Sequence, residues 1–446
     1  MTLSTSTIPP SGTQARPEPA RPAPTRTPLP AGDVRPRRHH ARGFWIIAYV
    51  FAATMAFAGA PAPLYVIYQE REGFGSLAVT FVFAAYAVGV TAALFLAGHL
   101  SDRFGRLRLI APAVLLNVLA GLVFLTSTDL GLLLLARLVS GLGIGLLTAT
   151  ATAHMTELHA ASRAAAGRPA GRHAEMISTA ANLGGIGLGP LVAGLLADVA
   201  PAPLHTPYLV LLFALVVGLL LMTLVPETVD AVGEPWRYRP QRVTVPAASR
   251  GPYAGALMAG FVSFAMFGLF TSLAPSFLAH DLHVTSHAVA GLVSFAVFGS
   301  AALAQIATGR QSTRAQHTLG VTLLAAGLVL IVGAMLTATF PVLVAGGIVT
   351  GAGAGTLFKA GVGTVVSVAA GGSRAEALAG LFLAAYAGMS LPVVLLAVLL
   401  RLVPTPAAVL AFGVLMLVLL AAASALLRSG RGQAAASSTA SSSTRS

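Results

Sequence analysis

The sequence predicts an all-α integral membrane protein of about twelve transmembrane helices in two pseudo-symmetric six-helix halves. Three observations predict this fold class. The 446 residues are 56% hydrophobic and only 9% charged, whereas a soluble domain is about a quarter charged. Apolar runs of the roughly 20 residues that a transmembrane helix needs recur along most of the chain. Two glycine-containing motifs also occur twice, about half the membrane region apart.

The predicted spans are followed by short polar turns, and the chain has no soluble domain between them. In order, the spans occupy residues 44–67, 78–100, 109–127, 130–153, 174–197, 207–225, 253–279, 287–308, 317–338, 341–366, 376–400 and 405–427. Glycine and proline occur inside several of them, which membrane helices tolerate because neighbouring helices satisfy the freed backbone groups. No P-loop, G-x-S-x-G or H-E-x-x-H motif is present, so the sequence predicts neither an enzyme nor direct ATP coupling.

Composition divides the chain into five segments. Residues 1–43 form a cytoplasmic tail rich in proline and arginine, which we expect to be disordered because it cannot bury a core. Residues 44–225 and 253–427 are the two halves, joined by the basic cytoplasmic linker 226–252. The Ser/Ala-rich tail 428–446 is also expected to be disordered and cytoplasmic.

Basic residues are distributed asymmetrically between the two sides of the predicted bundle. With a cytoplasmic N-terminus, 23 of the 27 fall on the cytoplasmic side, and only Arg71 and Arg401 lie on the other. The remaining two, Arg137 and Lys359, fall inside spans. The positive-inside rule therefore predicts a multi-pass protein of the bacterial inner (plasma) membrane with both termini cytoplasmic. The net charge of +13 is a topology signal for a lipid bilayer partner, not a nucleic-acid site, and we expect a monomer.

The two halves repeat each other. The pattern Gly-x-x-Ser-Asp-Arg that starts at Gly98 matches Gly-x-x-Ser-Thr-Arg at Gly309, and the Gly-x-Gly-x-Gly pattern at Gly141 matches that at Gly351. Repeated halves are typical of transporters, because a site between them can be exposed alternately to each side.

A dense charged turn, GHLSDRFGRLRL, follows the second predicted span. Its notable positions are Gly98, Asp102, Arg103, Gly105 and Arg106. The glycines permit a tight turn, and the arginines contribute to the topology signal. A single carboxylate in a basic loop adds nothing to topology. On physical grounds, Asp102 either organises the turn through a local arginine contact or has a separate role.

This turn resembles motif A of the major facilitator superfamily, with the five positions at the family's spacing. The resemblance extends over roughly residues 44–427 and implies the family's fold. In that family the loop is a conformational latch that holds the cytoplasmic ends of the halves together when the site faces outward. The resemblance therefore implies that Asp102 is the latch carboxylate. The second copy has Thr313 at this position, so the latch is one-sided.

The stretch LARLVSGLGIG in the fourth span resembles motif B of the same family. It places Arg137 inside a span, where a charged side chain costs a few kcal/mol and is a functional hypothesis by default. In the family this arginine is linked to proton coupling. The alternative is an arginine near the start of the span that snorkels to the outer surface.

The stretch NLGGIGLGPLVAG in the fifth span resembles motif C, with Gly185, Gly189, Pro190 and Gly194. On physical grounds these residues allow close helix packing and a bend. In the family, motif C marks exporters that exchange a solute for protons. The resemblance therefore implies the twelve-span drug:proton antiporter branch, driven by a proton gradient and without a bound cofactor.

The resemblance also implies that spans one, four, seven and ten line a substrate cavity. The candidate lining residues are Tyr49, Met55, Thr148, Thr152, Phe264, Met266, Phe267, Thr356 and Lys359. A phenylalanine and methionine wall suits bulky apolar solutes, although such a stripe also serves packing or lipid contact. Lys359 either snorkels to the cytoplasmic surface or binds an anion. No carboxylate lies deep in a span, which favours neutral or anionic solutes over cations.

One polar cluster lies in the outer loop after the seventh span and contains His280, Asp281, His283 and His287. Its spacing is compatible with zinc, but no second ligand set accompanies it, so we predict a solvated loop and no metal site. The sequence thus predicts proton-coupled efflux of small apolar or amphiphilic compounds, such as drugs or secondary metabolites. The alternative is a proton-linked uptake symporter for a small metabolite, since one scaffold serves many solutes.

Overall fold

The computed structural model describes residues 37–97, 104–167, 169, 171–229, 249–369 and 374–443. The described residues from Arg37 onward belong to one unit of the chain. The N-terminal tail up to Pro36 and most of the linker between the halves lie outside the described residues. So do Gly98, Asp102 and Arg103 of the charged turn, and the latch assigned to them stays a prediction.

All regular structure in the described part of the chain is helical, which confirms the predicted all-α membrane class. We number the spans in chain order. Their bounds are Arg37–Gly59 and Pro61–Glu72 (span 1), Ser76–Ala97 (2), Leu107–Thr126 (3), Leu130–Ala164 (4), His173–Thr179, Ala180–Gly184 and Gly185–Val199 (5), Thr206–Met222 (6), Arg250–Ser272 and Ala274–His280 (7), His287–Ala307 and Thr308–Arg310 (8), Thr313–Thr337 (9), Phe340–Val368 (10), Arg374–Leu402 (11) and Thr405–Ser443 (12).

Eleven of these spans are long and apolar enough to cross a membrane, counted over the described residues. The helix Thr206–Met222, where we predicted the sixth span, is apolar but has only 17 residues. At 1.5 Å per residue it covers about 26 Å, close to the roughly 30 Å hydrocarbon core of a bilayer. It ends early because Pro226 follows closely and restricts the preceding residue to extended conformations.

The last helix differs from the sequence expectation. The backbone of span 12 is helical to Ser443, past residue 428, where we expected the tail to begin; the disorder of residues 428–446 stays a prediction. Alanine has the highest helix propensity, and no proline interrupts the segment after Pro406. The helix therefore continues beyond Arg428, where the apolar span ends.

The repeated glycines have the same packing role in both halves. In span 4, a Cβ at Gly141 would collide with the backbone of span 2 at Tyr86, and one at Gly143 would meet span 3 at Ala113 and its neighbour Asn117. In span 10, the corresponding Gly351 lies against span 8, and Gly353 lies against span 9. Small residues let membrane helices approach until their backbones touch. The sequence repeat is therefore a repeat of helix contacts.

The two halves meet mainly where span 5 packs on span 8 and span 2 packs on span 11. The first contact is at backbone level. A Cβ at Gly194 would overlap the carbonyl of His287, and one at Gly291 would overlap the carbonyl of Pro190. Two glycines, one from each half, therefore set the distance between spans 5 and 8.

The bundle has two distinguishable ends. We call the end with the start of span 5 and Arg106 the basic end, and the other the opposite end. At the opposite end the second helices of spans 1 and 7 contact each other. Their residues Pro61–Tyr68 and Ala274–Leu278 are buried, and Ser276 Oγ donates to Gln69 Oε1 at 2.8 Å. The halves are therefore closed against each other at the opposite end.

Substitution of Gly291 by alanine should destabilise the protein by about 1–3 kcal/mol, because the added Cβ overpacks the contact with Pro190. Thermal unfolding of the purified protein measures this effect. Gly299→Ala is the matched control on the same helix, since a Cβ there meets no atom within 4 Å. Equal unfolding temperatures for the two variants would contradict the proposed glycine contact.

Candidate functional site

Arg137 of span 4 lies at the centre of the N-terminal half and is only 3% exposed. Its Nη1 donates to the carbonyl of Ala58 at 2.8 Å. The guanidinium carbon stands 4.7 Å from the ring centre of Tyr86 and 5.9 Å from that of Phe83. The alternative in which Arg137 snorkels to the outer surface is therefore wrong, because the side chain points into the bundle.

A helix end supplies the negative potential that this buried cation needs. Ala58 belongs to the last turn of Arg37–Gly59, which breaks before Pro61 and Pro63. Prolines lack the N–H groups that would continue the helix, so carbonyl groups with partial negative charge remain there. Among the described residues, no carboxylate lies within 4 Å of Arg137. The charge is balanced by the helix end and by aromatic faces.

A small cavity of about 20 Å³ adjoins Arg137. Residues of both halves line it, including Ile186 of span 5, Thr271 of span 7 and Met389 of span 11. The buried Nε of Arg137 has no hydrogen-bond partner among the described residues. The cation is thus close to the surface where the halves meet and is sensitive to changes there.

At the basic end, Arg106 is held within its own half. Its Nη2 lies 2.7 Å from Glu157 Oε1 in span 4. The carboxylate of Glu227, just after span 6, accepts the backbone N–H groups of Arg106 and Leu107 at 2.9 and 3.0 Å. Thr228 donates to Glu157 as well, at 2.5 Å. This network ties spans 3, 4 and 6 together at the start of span 3.

The network explains two of the motif residues in the charged turn. Gly105 has a φ of +101°, which favours glycine. Partial burial raises the pKa of Glu227, but the backbone N–H groups of Arg106, Thr228 and Leu107 favour its charged form more strongly, and the pKa lies below its ordinary value. Glu227 therefore acts as a charged cap for the first turn of span 3. The contacts described for Gly105 and Arg106 stabilise the N-terminal half.

Gly185, Gly189, Pro190 and Gly194 divide their contacts between two partners. The first two glycines lie against the backbone of span 1 at Ala52 and Ala56, and Gly194 lies against span 8. Pro190 presents its carbonyl to span 8 at Gly291 (see above). A π-helical turn, Ala180–Gly184, comes directly before them. The stretch therefore packs span 5 between the centre of its own half and the other half.

The structure separates the predicted cavity residues into different environments. Tyr49 does not face a cavity: it is 38% exposed on the outer side of span 1, and its hydroxyl donates to the carbonyl of Ala214 in span 6. Met55, Met266 and Thr356 are fully buried in helix contacts and line no open surface. The structure places these four residues in packing environments, and their assignment to a substrate cavity stays a prediction, because an apolar span does not reveal which of its faces meets lipid, protein or a cavity.

Phe264 and Phe267 belong to an aromatic cluster inside the C-terminal half. Phe264 contacts Phe358 of span 10 and Tyr386 of span 11, with ring centres 4.9 and 5.4 Å apart. Phe267 stacks on Phe298 of span 8 at 4.8 Å. The cluster joins four spans, so its first role is packing.

One strip of span 4 remains exposed inside the bundle. Span 4 packs on spans 1, 2, 3 and 5, yet Ala149, Thr152 and Thr156 are exposed. Thr148 is half-buried, and its hydroxyl donates to the carbonyl of Ile144 in its own helix. These three exposed residues lie on one face of span 4, towards the basic end. Of the predicted residues, Thr152 lies on this face and bonds Ser178 of span 5, and Lys359 bonds Glu175 of the same span.

Lys359 joins the halves at the basic end. Its Nζ donates to Glu175 Oε1 of span 5 at 2.7 Å and to the carbonyl of Gln305 in span 8 at 3.0 Å. The side chain is 17% exposed and that of Glu175 is 49% exposed. Glu175 was visible in the sequence only as a charge at the start of a span, and its partner lies 184 residues away.

Asp198 joins the halves at the opposite end. Its carboxylate accepts hydrogen bonds from Ser286 Oγ at 2.6 Å, from the backbone N–H groups of His287 and Ala288 at 3.0 Å, and from His287 Nδ1 at 2.8 Å. Span 8 therefore begins on a carboxylate from the other half. His280 Nδ1 faces the carbonyl of Ser276. In the described ranges, no three His, Asp or Glu side chains come together as a metal site.

Comparison with known proteins places this geometry in context. A family model described as Major Facilitator Superfamily matches residues 44–253 and 256–445. The chain is 30% identical over 129 residues to an arabinose-proton symporter of Bacillus subtilis, and 28% identical over 155 residues to an uncharacterised MFS-type transporter of Methanocaldococcus jannaschii. These stretches cover 27% and 34% of this chain, and 27% and 37% of the relatives.

Solved structures share the fold at low sequence identity. A mutant of the nucleoside transporter NupG superposes with a TM-score of 0.64 at 12% identity, covering 86% of this chain and 99% of that one. A POT family transporter in complex with 5-aminolevulinic acid gives a TM-score of 0.69 at 11% identity, covering 88% and 96%. At this identity the similarity concerns the fold alone.

Glu227→Gln should lower the stability by about 1 kcal/mol at neutral pH, the typical value of a helix cap. Because the pKa of Glu227 is lowered in the folded protein, its contribution is present above the ordinary value of 4.5 and is lost as the pH falls below it. Unfolding temperatures measured from pH 7 to pH 4 should therefore converge for the two proteins. The exposed Glu70→Gln is the control, and a gap that stays constant with pH would contradict the capping role.

Proposed function

The chain belongs to the major facilitator superfamily, and from this membership we propose that it exports small apolar or amphiphilic compounds in exchange for protons. Family and fold already make it a multi-pass membrane protein and a secondary transporter, not an enzyme. The efflux direction, the proton exchange and the compound class are the proposal. The observation that carries it is the buried Arg137 beside the glycine-lined contact between the halves.

Alternating access needs two ends that open in turn, and the structure supports this. The second helices of spans 1 and 7 close the opposite end, while the strip with Ala149, Thr152 and Thr156 is exposed towards the basic end. We assign the basic end to the cytoplasm because most arginines lie there. In this assignment the described conformation faces inward, and an exported compound would enter from the cytoplasm.

Arg137 is suited to couple charge movement to this change. It is desolvated, and electrostatic interactions are stronger in such surroundings than in water. Its counter-charge is the helix end at Ala58, next to the break that leads into the closing helix of span 1. A proton or solute that changes the field near Arg137 would shift this contact. The closure of the opposite end is thereby linked to the charges near Arg137.

Proton-linked uptake is the second candidate, and one specific observation favours it. The relative from Bacillus subtilis is named an arabinose-proton symporter. Its matched stretch covers 27% of its own length, so the activity of that protein is a hypothesis for this chain. Against it, the sequence places no carboxylate deep in a span and few charged groups inside the membrane to pair with a hydrophilic solute.

The direction of proton movement distinguishes the two candidates. Everted membrane vesicles with an acidic lumen would receive a panel of apolar and amphiphilic compounds, and a dye would report lumenal pH. For antiport we expect compound-dependent proton loss from the lumen, abolished by Arg137→Ala. Compound-dependent proton entry into the lumen would establish symport instead.

Arg428→Ala is the matched control, because this exposed arginine lies far from the buried centre. Its vesicles should respond as the wild type does. If both arginine variants reduced the response equally, Arg137 would have no specific part in coupling. If no compound in the panel moved protons in wild-type vesicles, the proposal of proton-coupled efflux for these compounds would fail.

A further inference from the structure

The sequence repeat gives Lys359 an equivalent position in the N-terminal half. Gly141 in span 4 corresponds to Gly351 in span 10, so Ala149 corresponds to Lys359. Ala149 is exposed on span 4. The N-terminal half thus has a methyl group where the C-terminal half has the only lysine of the chain. A lysine inside a span that bonds a carboxylate of the other half calls for a specific explanation.

The surroundings of Lys359 contain more positive than negative charge. Glu175 bonds Lys359 through Oε1 and also accepts a hydrogen bond from Arg172 Nε through Oε2 at 3.3 Å. One carboxylate therefore serves two cations, one from each half. If another anion took the place of Glu175 at Lys359, Glu175 would keep Arg172 as its partner. Each carboxylate and each cation would then keep a counter-charge. A charge left unpaired away from bulk water would be costly.

Apolar surface lies next to this charge. Phe358 precedes Lys359 on the same helix turn and is only half-buried, as are Phe261 of span 7 and Phe382 of span 11. Phe358 contacts Phe264 and Phe382, with ring centres 4.9 and 5.7 Å apart. This apolar surface of spans 7, 10 and 11 therefore begins one residue along span 10 from Lys359. A cation next to an aromatic wall is complementary to a compound with an apolar body and a negatively charged group.

We propose that Lys359 is an anion-binding residue of the transport site, and that the compounds it selects are amphiphilic organic acids whose carboxylate replaces Glu175 at Lys359 Nζ. The inference rests on the proposed export function and narrows its compound class. The half-exposed Glu175 is the exchangeable partner, because the carboxylate can turn towards Arg172 at the basic end without entering the membrane. A cationic compound of the same shape would meet Lys359 and Arg172 and be repelled.

The charge selectivity can be measured by binding, without any transport. The full-length protein in lipid nanodiscs would be titrated with 2-naphthoate, with its neutral amide 2-naphthamide, and with the cation 2-naphthylmethylammonium. We expect the carboxylate to bind more tightly than the other two. Lys359→Gln should weaken the binding of 2-naphthoate by about tenfold or more, the equivalent of about 1.4 kcal/mol. The affinity for 2-naphthamide should stay unchanged. Lys359→Arg should restore most of the binding of the acid.

Two further variants separate a binding role from a structural ion pair. Glu175→Gln removes the competing carboxylate. It should therefore tighten the binding of 2-naphthoate, because Lys359 is then free for the ligand. Glu376→Gln is the matched control, since Glu376 begins the equivalent span of the other half, and Arg428→Gln controls for net charge at the basic end. Neither control should change binding. If Glu175→Gln and Lys359→Gln both weakened all three compounds equally, the pair would be structural and the inference would be overturned.

Failure of this inference can be told apart from failure of the export proposal. Absence of 2-naphthoate binding to the wild type, or a preference for the cation, overturns the anion site. The vesicle assay with 2-naphthamide and the cation can then still show proton exchange. Conversely, binding could be charge-selective and depend on Lys359 while no compound moves protons in vesicles. That result would support the anion site and overturn the proposal of proton-coupled export.

Discussion

Spans 5 and 8 touch through their backbones, and the relation between the two halves depends on this contact. A bilayer offers little hydrophobic gain for joining helices, so close packing and hydrogen bonds must hold them together. Gly194 and Gly291 supply the closeness from opposite sides. Where the two backbones touch, the spacing is set by main-chain atoms, and side chains such as Phe298 complete the contact. The same stretch of span 5 also lies against span 1, whose helix end faces Arg137. The buried charge of Arg137 therefore lies close to the interface at which the halves would move.

Charged groups in this protein are few, and their placement follows one pattern. Four charges that recur in this structure are balanced by groups from another segment: the Ala58 carbonyl for Arg137, two main-chain N–H groups for Glu227, and residues of the other half for Lys359 and Asp198. Unbalanced charges are expensive in a membrane. The Lys359 and Asp198 contacts lie at opposite ends, and Ser276 and Gln69 add another polar contact between the halves at the opposite end. A rocking motion about spans 5 and 8 must strain at least one of these contacts.

The sequence predicted the architecture well and the site only in part, for a physical reason. Span positions follow from the length of apolar runs, and the Gly141 and Gly351 patterns predicted equivalent contacts that the structure contains. Faces were not predictable: lipid and protein interior are equally apolar, so nothing in the sequence around Tyr49 distinguishes outward from inward. Partnerships such as Lys359 with Glu175 connect residues far apart in the chain. The end of span 12 was not predictable either, because the alanines after Arg428 favour helix while the serines and glycines do not.

The cap that Asp198 places on span 8 bears on how the protein is made. The first backbone N–H groups of that helix are taken by a residue of the N-terminal half and by Ser286, whose hydroxyl accepts from Val289 at 3.3 Å. A ribosome finishes Asp198 long before Ser286 emerges, and N-terminal parts of a chain generally fold first. The completed half can thus act as a docking template for the incoming one. Expressed separately, the second half would lack the carboxylate that accepts the first backbone N–H groups of span 8. The start of this helix therefore depends on a half that is synthesised earlier.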